Sequence, residues 1–150
     1  MPPTPSPTSD FRERVRASLA KQHFMTTLGV RLVRVEPGEV ELSMPFDARL
    51  TQQHGYLHAG ALASVLDSAC GYAAYTLMPE DAGVLSVEFK LDLLAPAEGD
   101  TFVARARVVK PGRTITVTRA EGFMQRAGTE RLVATLGGTM MCLRDRGVAG

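Results

Sequence analysis

Three features of this 150-residue chain predict an α+β fold, with one antiparallel sheet of about six strands curved around a single long helix. Residues 59–78 are a long apolar run without β-branched clusters, which reads as a helix. Two strand-like segments precede that run and four follow it, each bounded by Pro or Gly turn signals. A sheet of this kind has to cover its apolar face, and the one long helix is the element available to do so.

The elements follow in chain order. Residues 1–9, with Pro2, Pro3, Pro5 and Pro7, read as a disordered, extended arm. Ser9 or Asp10 caps a helix starting near Phe11, with Glu13 in its first turn. Phe11, Val15 and Leu19 recur at helical spacing as far as the Gln22–His23 turn, while Arg12, Arg14, Arg16 and Lys21 form a basic face that reads as solvated, the alternative being contact with an acidic ligand tail. Val30 to Glu36 is a strand, Pro37-Gly38 a turn, and Glu39 to Pro45 a second strand carrying Val40, Leu42 and Met44 on one face. Phe46 to Tyr56 is a loop that leads to the long helix, which residues 79–83 terminate.

From Val84 the chain reads as β-structure almost to its end. Val87, Phe89, Leu91 and Leu93 alternate with Ser86, Glu88, Lys90 and Asp92, which places Ser86 on the polar face. Thr101–Val109, Thr114–Gln125 and Arg131–Leu143 follow, joined by turns at Lys110–Arg113 and Ala127–Thr129, so the last four strands read as successive hairpins. Gly137-Gly138 marks a bulge or a close approach. Residues 10–144 form one domain, and 145–150 a frayed tail.

Composition excludes several classes. A formal net charge of +1, with 45% hydrophobic and 22% charged residues, is that of a soluble domain, and it argues against a nucleic-acid or membrane partner. The N-terminus lacks the basic and apolar regions of a signal peptide. The run 59–78 approaches bilayer length, but Asp67 at its centre would cost about 2.5–3.5 kcal/mol on insertion. Cys70 and Cys142 have neither metal spacing nor a disulfide framework. They read as buried thiols of a protein in a reducing compartment, the cytoplasm.

Asp67 is the one charged side chain between His58 and Pro79. Its helical neighbours Gly60, Ala63, Ser64, Cys70, Gly71 and Ala74 are all small, so a ligand can approach a carboxylate that must be hydrated, paired or used in chemistry. The helix start, at Ala59 and Gly60, offers N–H donors without intrahelical acceptors, suited to an anion or a developing oxyanion. These donors and Asp67, about two turns or roughly 10 Å apart, would frame a cleft.

The stretch HGYLHAGALASVLD at the head of this helix resembles that of the hotdog-fold acyl-CoA thioesterases, closest to the phenylacetate-pathway (PaaI-like) group. Gln52, Gly55, His58, Ala59, Gly60 and Asp67 match that family's pattern in register, and LSVEFKLDLLAPAEGD resembles the strand that carries a Ser or Thr near the site, here Ser86. Two departures stand out: Ala59 replaces the first Gly of a His-Gly-Gly triplet, and Gln52 stands where some relatives have Asn. An Ala serves at position 59 if its φ is negative.

The resemblance implies hydrolysis of an acyl-CoA to acid and CoA without metal or cofactor. Asp67 would act as general base or nucleophile, and the Ala59 N–H with the Gln52 amide would polarise the carbonyl. Ser86 would orient water or the carboxylate, and His58 would organise the loop or touch substrate. Gly60, Leu57 and Ser64 would line the site, and Lys90, Lys110 and Arg113 are candidates for the CoA phosphates. It further implies a homodimer or dimer of dimers, with the site shared between subunits. Leu57, Tyr72, Tyr75 and Met78 are candidate walls for an aryl or medium-chain acyl group. Competing expectations on the same fold are a non-catalytic acyl-thioester-binding protein and a hydratase or dehydratase. The absence of an appended DNA-binding segment counts against a repressor.

Overall fold

The computed structural model describes residues 10–144; the arm and tail expected at 1–9 and 145–150 lie outside them. Helix α1 spans Phe11–Lys21, α2 His23–Leu28 and α3 Ala59–Tyr75, and a single 3-10 turn covers Ala48–Leu50. The strands are β1 (Arg31–Glu36), β2 (Glu39–Pro45), β3 (Gly83–Leu93), β4 (Thr101–Lys110), β5 (Ile115–Arg126) and β6 (Thr129–Leu143). They form one antiparallel sheet in the order β1-β2-β4-β5-β6-β3. Helix α3 lies across it and packs against β2 through β6.

This order corrects the expectation of four successive hairpins. β3 and β4 do not pair: β3 joins β6 at one edge, and β4 joins β2. The connection 94–100 therefore crosses from one side of the sheet to the other, and β4–β5–β6 alone form a meander.

Local chemistry explains the helices. Asp10 caps α1 by accepting from the Glu13 N–H, and Phe11, Val15 and Leu19 are its buried stripe. The short α2 was not anticipated; it ends at Gly29 in the left-handed conformation, a common glycine role at a helix end. Helix α3 stops at Tyr75, three residues earlier than read from the apolar run. Pro79 is the reason, because its ring would clash with the Tyr75 carbonyl and it has no N–H to donate.

Arg14 of α1 is not on a solvated face as expected. It reaches over this helix end, donating to the Met78 carbonyl at 3.1 Å with its guanidinium 4.9 Å from the Tyr75 ring. A cation there complements the helix dipole.

Thr76, buried just past α3, donates to the Ala73 carbonyl and accepts the Gly38 N–H, tying the helix end to the β1–β2 turn. The core lies between α3 and the sheet, with Leu42, Met44, Val65, Leu66, Phe102 and Leu136 fully buried. Gly122 admits the Phe102 ring: a Cβ there would lie 2.6 Å from Phe102 Cζ. The Gly137-Gly138 pair stays in regular register, so it marks no bulge. Gly138 is instead the closely approached one, with Met140 Cε 2.9 Å from where a Cβ would sit.

Candidate active site

On α3 the residues that are not buried are Ala59, Gly60, Ala63, Ser64, Asp67, Ser68 and Gly71, which after Ala59 form a single stripe at helical spacing. Two residues expected on this small face, Cys70 and Ala74, are buried and belong to the core instead. Ser68 takes their place in the stripe.

Asp67 is half-buried and accepts a hydrogen bond from Ser86 Oγ at 2.6 Å on its Oδ1. Burial pushes the carboxyl above its usual 3.8, and the Ser86 hydroxyl partly opposes that shift. The raised value favours proton uptake from water by the carboxylate.

Ser86 arrives there through a β-bulge. Between Ser86 and Glu88 the pairing of β3 with β6 shifts by one residue, so Ser86 faces Met140 on the helix side while Glu88 pairs with Thr139 on the outer side. The simple alternation had put Ser86 among the outward polar residues; the bulge at Val87 turns it inward.

The helix start forms a second centre. His58 is the N-cap: its Nδ1 accepts the Gly60 N–H at 2.8 Å, so in the neutral ring the proton sits on Nε2. Gly60 makes room for that ring, since a Cβ there would lie 3.0 Å from Nδ1. The Gly60 donor is thus consumed, whereas no acceptor among the described residues takes the Ala59 N–H.

Ala127 is the one non-glycine residue of positive φ among those described, so Ala59 stands in place of Gly without strain. Gln52 turns its Oε1 to the His54 N–H, which leaves its amide NH2 without an acceptor among the described residues. Ser64 donates to the Gly60 carbonyl at 2.7 Å within the helix, so its hydroxyl hydrogen is already used.

These two centres do not share a cleft within one chain. Asp67 and Ser86 line a cleft of about 400 Å³ with Ser68, Gly71, Tyr72 and residues of α1. Gln52, Leu57 and Ala59 line another of about 440 Å³, closed by Leu62 and residues 93–97. Eight helical residues separate Ala59 from Asp67, roughly 12 Å of rise and about 80° of rotation. The expectation that they frame one cleft within a chain is corrected by the separate linings of the two clefts.

The remaining candidates lie elsewhere. Lys90 sits on the outer face of the sheet and pairs with Asp92 at 3.5 Å. Lys110 and Arg113 are exposed on the β4–β5 turn. Tyr75 and Met78 are buried by α1 and line neither cleft. Ser18 and Gln22 of the α1 region, not among the site residues expected from sequence, do line the Asp67 cleft. No local signal marks them, because only the packing of α1 brings them there.

The family model described as the thioesterase superfamily matches residues 54–130. A thioesterase family protein from Silicibacter pomeroyi has a crystal structure that superposes with a TM-score of 0.88 at 56% identity, covering 89% of this chain and 98% of that one. Human acyl-coenzyme A thioesterase 13 is 30% identical over 131 residues, 86% of this chain and 91% of its own length. The PaaI protein of the Escherichia coli phenylacetic acid degradation operon shares the fold, with a TM-score of 0.81 at 23% identity over 92% of this chain and 96% of that one.

Proposed function

This chain belongs to the thioesterase superfamily and has its hotdog fold, and from that premise we propose that it hydrolyses acyl-CoA thioesters, aryl or medium-chain, at a site completed between two copies of itself. The observation that carries the reading is the half-buried Asp67 carboxylate, open to a cleft and held by Ser86.

The chemistry assigns each centre a task. Asp67 Oδ1 is engaged by Ser86, which leaves Oδ2 to take a proton from a water molecule. The resulting hydroxide equivalent adds to the thioester carbon. The oxyanion forms at the Ala59 N–H, with the Gln52 amide as second donor. Collapse of the tetrahedral intermediate breaks the C–S bond, and the departing thiolate takes up the proton as CoA. A nucleophilic role for Asp67, through a mixed anhydride, is the second route.

Two facts support completion by a second copy. The base and the donors occupy different clefts of one chain. The edge strand β3 is long and exposes Leu85, Val87, Phe89 and Leu93, an apolar edge that natural proteins keep covered. A two-fold partner on this edge brings the Asp67 of one protomer toward the helix start of the other. The enzyme is then a homodimer or dimer of dimers, and its working compartment is the cytoplasm. Lys90, Lys110 and Arg113 remain candidates for the CoA phosphates, and residues 10–144 are one domain.

Purified protein and Asp67→Asn, assayed against aryl and aliphatic acyl-CoAs by thiol release, test the reading. Turnover by the parent and a loss of at least about 100-fold in a folded variant are expected. A variant within a few-fold of the parent removes Asp67 from the chemistry. If neither protein releases thiol, a non-catalytic acyl-thioester-binding role replaces hydrolysis.

A further inference from the structure

The face of the sheet turned away from α3, and so from Asp67, carries a groove of about 620 Å³. A cross-strand row runs along it. Arg107 of β4 stands directly opposite Arg119 of β5, Arg119 opposite Gly137 of β6, and Gly137 opposite Lys90 of β3. Their chain neighbours Ala106, Ala120 and Leu136 are buried on the helix side, so the row points outward. Neighbouring strands lie about 4.8 Å apart, which sets the two arginines side by side and Lys90 about 10 Å beyond Arg119.

Like charges directly opposite each other destabilise a sheet. Here nothing in the chain offsets them: neither the Arg107 nor the Arg119 guanidinium has a hydrogen-bond or ion-pair partner among the described residues. Glu39, opposite Arg107, is engaged by Arg34. Glu41 is engaged by Arg105, and Asp92 pairs with Lys90 at 3.5 Å. Glu121, the remaining carboxylate of the groove, belongs to the next row, opposite Arg105. The floor beside the arginines is bare. A Cβ added at Gly137 would meet only Arg119 Nη1, at 3.9 Å, so the guanidinium lies beside backbone that bears no side chain.

We propose that Arg107 and Arg119, with Lys90 across Gly137, form an accessory anion site for a diphosphate-bearing ligand, separate from the acyl-thioester site. Two guanidiniums side by side present two N–H forks, and each fork matches the oxygens of one phosphate. Lys90 adds a point charge at the far side of the bare floor. A ligand with a single phosphate engages one fork and leaves the other arginine unpaired. The proposal does not rest on the hydrolase reading, since the sheet itself stands between this row and Asp67.

Calorimetric titration of the full chain with inorganic diphosphate and with inorganic monophosphate tests it, on the parent, Arg107→Ser, Arg119→Ser and Arg16→Ser. All three substituted side chains are exposed, so no core contact is lost. Diphosphate is expected to bind the parent about ten-fold or more tightly than monophosphate, and each sheet variant to weaken diphosphate by about ten-fold or more, the cost of a charged hydrogen bond. Arg16→Ser removes the same charge from α1 and is expected to stay within about two-fold of the parent, because a remote exposed charge is screened. Absence of diphosphate binding, equal affinity for the two anions, an affinity that neither sheet variant changes, or an equal loss in Arg16→Ser overturns the proposal. Thiol release from an acyl-CoA by the same sheet variants distinguishes this site from one for the phosphates of the substrate. An unchanged KM is expected, and a KM that rises in step with the diphosphate Kd overturns the separate site. Should the parent release no thiol, the hydrolase reading fails and the binding results alone decide the present proposal.

Discussion

Ser86, on the edge strand of the sheet, donates a 2.6 Å hydrogen bond to Asp67 at the middle of the central helix. This contact opposes the effect of burial on the carboxyl, so two environments compete over one proton. Ser86→Ala removes the hydrogen bond that holds the Asp67 pKa down. The acid limb of the kcat/KM profile is expected to move to higher pH, and the rate near neutrality to fall by about ten-fold. A pH profile on one acyl-CoA checks it, and an unmoved acid limb would separate Ser86 from the titration.

Asp67 also makes a stability prediction with a definite sign. Its folded pKa is raised above 3.8, so between that value and the folded value the native state holds a proton that the unfolded chain has released. Stability therefore falls as pH rises through this window and the loss persists above it. Asp67→Asn escapes the loss. At pH 7 its Tm is expected to equal or exceed that of the parent, and the difference is expected to shrink as pH is lowered toward 3.8. Thermal scans across this range check the trend, and a growing advantage in acid contradicts it.

The exposed edge of β3 predicts an oligomer on which turnover depends. Val87→Asp with Phe89→Asp places two like charges on the apolar edge without touching the core, since both side chains are exposed. Sedimentation is expected to show a monomer, with thiol release reduced at least about 100-fold as each protomer keeps half of the machinery. A fully active monomer would show that one chain completes the site.

Gly122 sets the packing of α3 on the sheet. A Cβ there meets Phe102 Cζ at 2.6 Å and Leu66 Cδ2 at 3.4 Å, and the Phe102 ring is fully buried. Gly122→Ala is expected to cost about 1–3 kcal/mol, read from the midpoint of urea unfolding. An unchanged midpoint would mean that the ring has room to shift.

Much of this molecule was determined locally. The β1–β2 hairpin follows from Pro37-Gly38 between alternating segments, and β2 occupies Glu39–Pro45 as read. The cap at Asp10 and the start of α3 at Ala59 follow from side-chain types next to the helices they serve. Asp67 stood out as a charge on a small-residue stripe, which is a statement about one helix.

What tertiary structure decided was pairing and parity. β3 leaves its sequence neighbour for β6, because a strand edge does not record which other edge it will meet. Ser86 faces Asp67 only because the bulge at Val87 shifts the alternation by one residue, and one residue exchanges the two faces of a strand. Ser18 and Gln22 reach the cleft from a helix more than forty residues away in sequence. The end of α3 shows the boundary between the two: Pro79 fixes where the helix must stop, a local steric rule. That Arg14 then covers the exposed carbonyls is a matter of which surface α1 packs against.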